Sequence, residues 1–139
     1  MSTSATTPVL HVWDGEREVG AARLSWQDGR ITAVESAEGA PEYSVIPGLI
    51  DTHVHLDASA TPGADWLTWP LITPAAERSL HVVAHARRAA AAGVTTLRDL
   101  SGSEVQYAAA RALETGLGPG PRLLVHGTGG MTAGHGDLF

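Results

Sequence analysis

The sequence predicts an α/β fold organised around a short parallel sheet, and three observations carry this. From Pro47 onward, strand-like and helix-like segments alternate in the order strand, helix, strand, helix, strand. The strand segments are nearly continuous apolar runs, which is the pattern of strands covered on both faces. The stretches between them are long enough to return the chain for parallel pairing. Ahead of this block, residues 8–46 read as short strands separated by turns, too few to bury a core by themselves. The predicted organisation is therefore a small β segment over 1–46 and an α/β segment over 47–139.

Taken in order, residues 1–7 are small and polar and are expected to be frayed. "VLHVW" runs into Asp14-Gly15 and "GAARLSW" runs into Asp28-Gly29. Asp-Gly pairs signal hairpins, because both central residues of a type I′ turn need positive φ. "RITAVES" leads to a loop around Gly39 and Pro41. "SVIPGLIDTHVHL" then reads as a nearly continuous apolar strand, followed by a loop with Trp66, Trp69 and three prolines, Pro62, Pro70 and Pro74. A helix is predicted over about 74–92: Pro74 suits its first turn, Glu77 suits the positive end of its dipole, and Gly93 can cap its end. "VTTLRDL" (94–100) is the second strand. "SEVQ" (103–106) is a capping-box pattern opening a second helix that ends near Gly116. "PRLLVHG" (121–127) is the third strand. Three parallel strands can form an open sheet but cannot close a barrel, which needs about eight.

Composition excludes several kinds of chemistry. The 139 residues carry 9 basic and 15 acidic side chains, a formal charge of −6, which disfavours nucleic acid or an anionic membrane as partner. All the basic residues are Arg; the chain has no Lys, so the glycines of "GTGGMTAGHG" cannot be a phosphate loop of the Gly-Lys-Ser/Thr kind. With no Cys, disulfides, thiolate metal sites and a cysteine nucleophile are excluded. The first residues lack a basic region and a long apolar stretch, so neither signal peptide nor membrane anchor is expected and a cytoplasmic setting is.

The chemistry-bearing feature is "PGLIDTHVHLD" (47–57). Residues i and i+2 of a strand share a face, so His53 and His55 are presented together. They lie at the C-terminal end of a predicted parallel strand, where such folds place their sites. Two imidazoles on rigid backbone make half a site for Zn²⁺ or a similar divalent ion. Asp51 and Asp57 flank them and can orient the rings or add an oxygen ligand. Two satisfied histidines at a polar strand end is the competing reading, since His-x-His often arises by chance.

"VIPGLIDTHVHLD" resembles the first barrel strand of the amidohydrolase superfamily of metal-dependent hydrolases. "AAAAGVTTLRDLSG" (89–102) resembles the stretch through that family's second strand, and "GPRLLVHGTGG" (120–130) its third strand and following loop. The first 46 residues are similar to the small N-terminal β-sandwich segment that many members carry. The likeness is greatest to the branch of imidazolonepropionase-like enzymes and metal-dependent dipeptidases. The resemblance implies the first three units of a (β/α)₈ barrel, with one or two divalent ions, Zn²⁺ foremost, at its C-terminal mouth. It implies that His53 and His55 are the first-strand ligands. It places the other ligands on later strands: a lysine or glutamate on the fourth, histidines on the fifth and sixth, an aspartate on the eighth. Two imidazoles alone hold a metal weakly. The expectation is therefore a hydrolase of amide or cyclic amide bonds in small molecules, working as a fragment or as one piece of a split enzyme. Its barrel would be completed by another polypeptide or by self-association. A non-catalytic partner that keeps the first part of the barrel as a docking surface is the alternative.

Five further features are weighed beside the pair. His135, in "TAGHGD", falls where the branch often has a "TGGHGD"-like run facing substrate, so it is a candidate substrate contact; here Met131, Thr132 and Ala133 intervene after the double glycine. Asp99 is a candidate acceptor behind a ligand histidine, against an ion pair with Arg98 or a cap on the next helix. His126 can face the mouth or bond to a neighbour, and the second is favoured. His81 and His85 are four apart on the first helix, but they lack the glutamate of a His-Glu-x-x-His site, and a solvated helix face is expected. Trp66 and Trp69 can line an apolar pocket or seal the rim.

Overall fold

The computed structural model describes residues 3–58 and 68–126. The chain divides into two compact units, Met1–Pro47 and Gly48–Phe139.

The first unit holds five strands: β1 (Ser4–Thr6), β2 (Leu10–Trp13), β3 (Glu18–Gln27), β4 (Arg30–Ser36) and β5 (Tyr43–Val45). They form a single sheet, ordered β1-β3-β2-β5, with β4 paired to β3. A second facing layer, which a sandwich requires, is not among the described residues. Alternation explains the small core: Leu10 and Val12 of β2 and Ala22 and Leu24 of β3 are buried, while His11 and Arg23 between them point outward. The β3–β4 turn is the predicted one, with Asp28 and Gly29 both at positive φ, 49° and 77°. The β2–β3 connection is not. Asp14 Oδ1 there accepts the N–H groups of both Glu16 and Arg17 at 2.9 Å, and the loop spans four residues. Those two N–H groups, Arg17's foremost, hold the Asp14 carboxyl below the usual carboxylate range.

The N-terminus departs from the expected fraying. Ser4–Thr6 pair with Gln27–Ser25, and Asp28 anchors Thr3 from both sides, its Oδ1 accepting Thr3 N–H at 3.0 Å and its N–H donating to Thr3 O at 2.9 Å. Residues without a hydrophobic pattern are recruited here by the free edge of a long neighbour, a tertiary effect that local propensity does not carry.

The second unit follows the predicted order with one addition, a short helix α1 where a loop was expected: β6 (Leu49–Val54), α1 (Trp69–Ile72), α2 (Ala75–Ala91), β7 (Val94–Asp99), α3 (Glu104–Glu114) and β8 (Arg122–Val125). Its sheet is β6-β7-β8 with both pairings parallel. The expected continuous strand from Ser44 is broken at Pro47-Gly48. β5 ends at Val45 within the first unit and β6 begins at Leu49, because proline has no N–H to donate to a ladder. The helices pack on the sheet through short residues four apart, Val82 and Ala86 on α2 and Val105 and Ala109 on α3, which close over Leu97, Leu123 and Leu56. Gly93 (φ 91°) ends α2 as predicted, and Gln106 reaches back to accept the Ser103 N–H at 3.0 Å, opening α3. Among the described residues, no helix is long and apolar enough to cross a membrane. The described strands form no closed barrel.

Gly48 shows why the break falls where it does. A Cβ there would lie 2.1 Å from Thr95 Cγ2, so only glycine lets β6 start beside β7. Gly48→Ala is expected to cost about 1–3 kcal/mol, as overpacking does, with a lower urea midpoint as the measurement. An unchanged midpoint would mean that Thr95 moves aside freely.

Candidate metal centre

The last residues of β6 and the turn after it build the site. Strand alternation puts His53 and His55 on one side, and the structure brings them together: their Nε2 atoms are 3.3 Å apart, with ring centroids 5.3 Å apart and planes at 56°. Both residues are exposed. That gap is slightly long for a hydrogen bond. It matches the spacing of two ligand nitrogens on one tetrahedral ion, about 3.3–3.4 Å for bonds of 2.0–2.1 Å. The donor set, two imidazoles, suits Zn²⁺ and similar borderline ions. Among the described residues, no group of three or more His, Asp or Glu side chains is placed to hold an ion. The pair is thus a half-site.

Neither flanking aspartate touches the rings, contrary to the expectation. Asp51 Oδ1 accepts the backbone N–H of His53 at 3.1 Å. Asp57 is buried and committed to Arg78 of α2: Arg78 Nε donates to Oδ1 at 2.8 Å, a second guanidinium nitrogen pairs with Oδ2, and Ser103 Oγ approaches Oδ2 at 3.4 Å. The Asp57 carboxylate raises the Arg78 pKa above its ordinary value. Trp69 Nε1 donates to the Asp57 carbonyl at 2.8 Å. That hydrogen bond ties Trp69 to the loop after the histidines.

Asp99 is fully buried, and it serves neither an imidazole nor Arg98. Its Oδ2 accepts the N–H of Leu56 at 3.1 Å and its Oδ1 the N–H of Ser101 at 2.8 Å. A carboxylate at the end of β7 thereby fixes the backbone just after His55. His126 Nε2 donates to the Leu100 carbonyl at 2.9 Å, the strand-end bond that was favoured. Of His81 and His85, His85 departs from the expected solvated face, while the His81 side chain stays 44% exposed. His85 Nδ1 donates to the Leu56 carbonyl at 2.9 Å, and His81 packs edge-on to Trp69, centroids 5.0 Å apart at 89°. Trp66 and His135 lie outside the described residues.

Sequence reasoning missed Arg78 and His85. A signal exists: positions 78, 82, 85, 86 and 89 form one helical stripe, and its other members, Val82, Ala86 and Ala89, belong to or pack on the core. Polar residues on an apolar stripe face buried partners.

Comparison with known proteins bears on this site. The family model described as Amidohydrolase family matches residues 44–130. Over 50 residues the chain is 38% identical to the adenine deaminase of Salinibacter ruber, a match covering 36% of this chain and 9% of that protein. A Xaa-Pro dipeptidase solved with methionine in its active site shares the fold, with TM-score 0.74 at 19% identity over 91% of this chain and 34% of that one. A prolidase solved with N-methylphosphonate-L-proline gives TM-score 0.71 at 25% identity, over 91% of this chain and 32% of that one. The chain spans about a third of the length of these solved structures.

Proposed function

The chain belongs to the amidohydrolase family, and from that premise we propose that it supplies the first part of a metal-dependent hydrolase acting on amide or cyclic amide C–N bonds. The observation that carries the reading is the convergence of His53 and His55 Nε2 to 3.3 Å at the C-terminal end of a parallel strand. His53 and His55 would hold a divalent ion, Zn²⁺ foremost. When bound, such an ion polarises a scissile carbonyl and lowers the pKa of a water. The chain's own residues do the rest of what falls to this segment. The two rings stay exposed, where a small substrate can reach them. Buried Leu56 and Asp57 close the turn behind them, and the Asp99 carboxylate holds that turn to the end of β7.

Two imidazoles are too few for a stable centre. The chain offers no lysine for a bridging position, so the reading includes further ligands from later barrel strands, outside these 139 residues. His135 is proposed to contact substrate. The names of the matched relatives, an adenine deaminase and a prolidase, support C–N bonds as the target.

The test is hydrolysis of Xaa-Pro dipeptides and cyclic amides by the purified chain with Zn²⁺ or Mn²⁺, alone and together with a polypeptide carrying the later strands. No turnover alone and turnover on completion is the expected result. Robust turnover by the chain alone would sink the claim that the site needs completing.

A further inference from the structure

His55 lies one residue past the end of β6, so the sheet ladder does not fix it directly. No protein group other than its partner ring is bonded to its imidazole among the described contacts. What sets the ring's position is therefore the backbone on either side: the Val54 carbonyl before it accepts the Leu100 N–H at 2.9 Å, its own carbonyl accepts the Ala58 N–H at 3.1 Å, and the two residues that follow are held by three side chains. The Leu56 N–H is taken by Asp99 of β7, the Leu56 carbonyl by His85 of α2, and the Asp57 side chain by Arg78, also of α2. Arg78 and His85 are seven residues apart, two turns of helix, so one face of α2 grips two consecutive residues of the turn.

We propose that His85 is a positioning residue for the His53–His55 pair: its Nδ1–H to the Leu56 carbonyl, opposite Asp99 on the same residue, sets the separation of the two ligand nitrogens. A carbonyl only accepts, so the proton on His85 sits at Nδ1. The bond matters because a half-site gains little from each ion contact and loses it when the two nitrogens drift apart. The inference rests on the metal reading above for its consequence, but its geometry is independent of any ion.

Two near-conservative variants separate positioning from simple packing. In His85→Asn the side-chain amide N–H falls where Nδ1–H sits. In His85→Gln, closer to histidine in size, the amide N–H falls where Nε2 sits, out of line with the Leu56 carbonyl. Without metal, the readouts on the full 139-residue chain are Leu56 amide hydrogen exchange and the ¹⁵N shifts of the His53 and His55 rings. His85→Asn is expected to match the unsubstituted chain. His85→Gln is expected to exchange Leu56 at least about tenfold faster and to give the shifts of two independent imidazoles. With Co²⁺ as probe, His85→Gln is expected to lose about 10–100-fold in affinity, the range typical of groups that orient ligands, and His85→Asn to lose less than about threefold. Equal behaviour of the two variants in the metal-free readouts overturns the proposal. If the unsubstituted chain binds no Co²⁺ while the metal-free contrast holds, the metal reading fails and the positioning role stands.

Discussion

A His55→Ala chain is expected to remain folded and to lose saturable binding of Zn²⁺ and Co²⁺, with an affinity loss of about 100-fold or more by titration calorimetry. The fold should survive because His55 is exposed and, among the described residues, its ring meets only that of His53. Changes at such positions are usually within about 0.5 kcal/mol. The metal should go because a single imidazole with water completing the sphere is no better organised than free histidine. His53→Ala should behave the same way, which distinguishes a shared ion from one bound by either ring alone. The other histidines supply controls. His126 is engaged with the Leu100 carbonyl and His81 packs on Trp69, so His126→Ala and His81→Ala should leave the affinity within about threefold. Undiminished binding in His55→Ala would place the ion elsewhere on the chain and remove the main support for the proposed function.

What the sequence made legible is what is decided locally. Asp28-Gly29 as a tight turn, Gly93 ending α2 and Gln106 reaching back to Ser103 each follow from a few adjacent residues. So does the shared face of His53 and His55, since strand alternation is a property of the backbone. The order of three strands and two helices was legible because apolar runs and helical stripes are long signals. The rest depends on which surfaces meet. Ser4–Thr6 become a strand only because β3 offers an edge. Asp57 reads as a metal ligand from its place beside the histidines, but Arg78, 21 residues later, takes both its oxygens. His85 reads as solvent-facing from its spacing to His81 and the missing glutamate, yet it turns inward to the Leu56 carbonyl. In each case the deciding partner is distant in sequence, and periodicity reports that a residue is buried without saying what it meets.

The Asp57–Arg78 pair sets up the largest expected loss of stability. Arg78→Met should cost about 3–5 kcal/mol, because removing one partner of a buried ion pair leaves an uncompensated charge. The burial is sufficient for that range: the Arg78 and Asp57 side chains are only 14% and 8% exposed. Little else can compensate. Ser103 Oγ reaches Asp57 Oδ2 at a long 3.4 Å, and Trp69 engages only the Asp57 backbone carbonyl. Arg78 also holds the Pro70 carbonyl at 3.2 Å, so its loss frees the chain leading into α2 as well. The raised pKa of Arg78 means that its contribution is fully present below the ordinary arginine range and is lost only as pH rises through the folded-state value. The guanidinium therefore stays charged at any pH used for a melt. The double variant Arg78→Met, Asp57→Asn strands no charge and should recover at least about 1 kcal/mol of the loss, a coupling of the size expected for contacting residues. Urea unfolding of the four chains measures this. A double variant no more stable than Arg78→Met would show that the arginine matters here for the volume it fills and for Pro70. The carboxylate would then carry little of the effect.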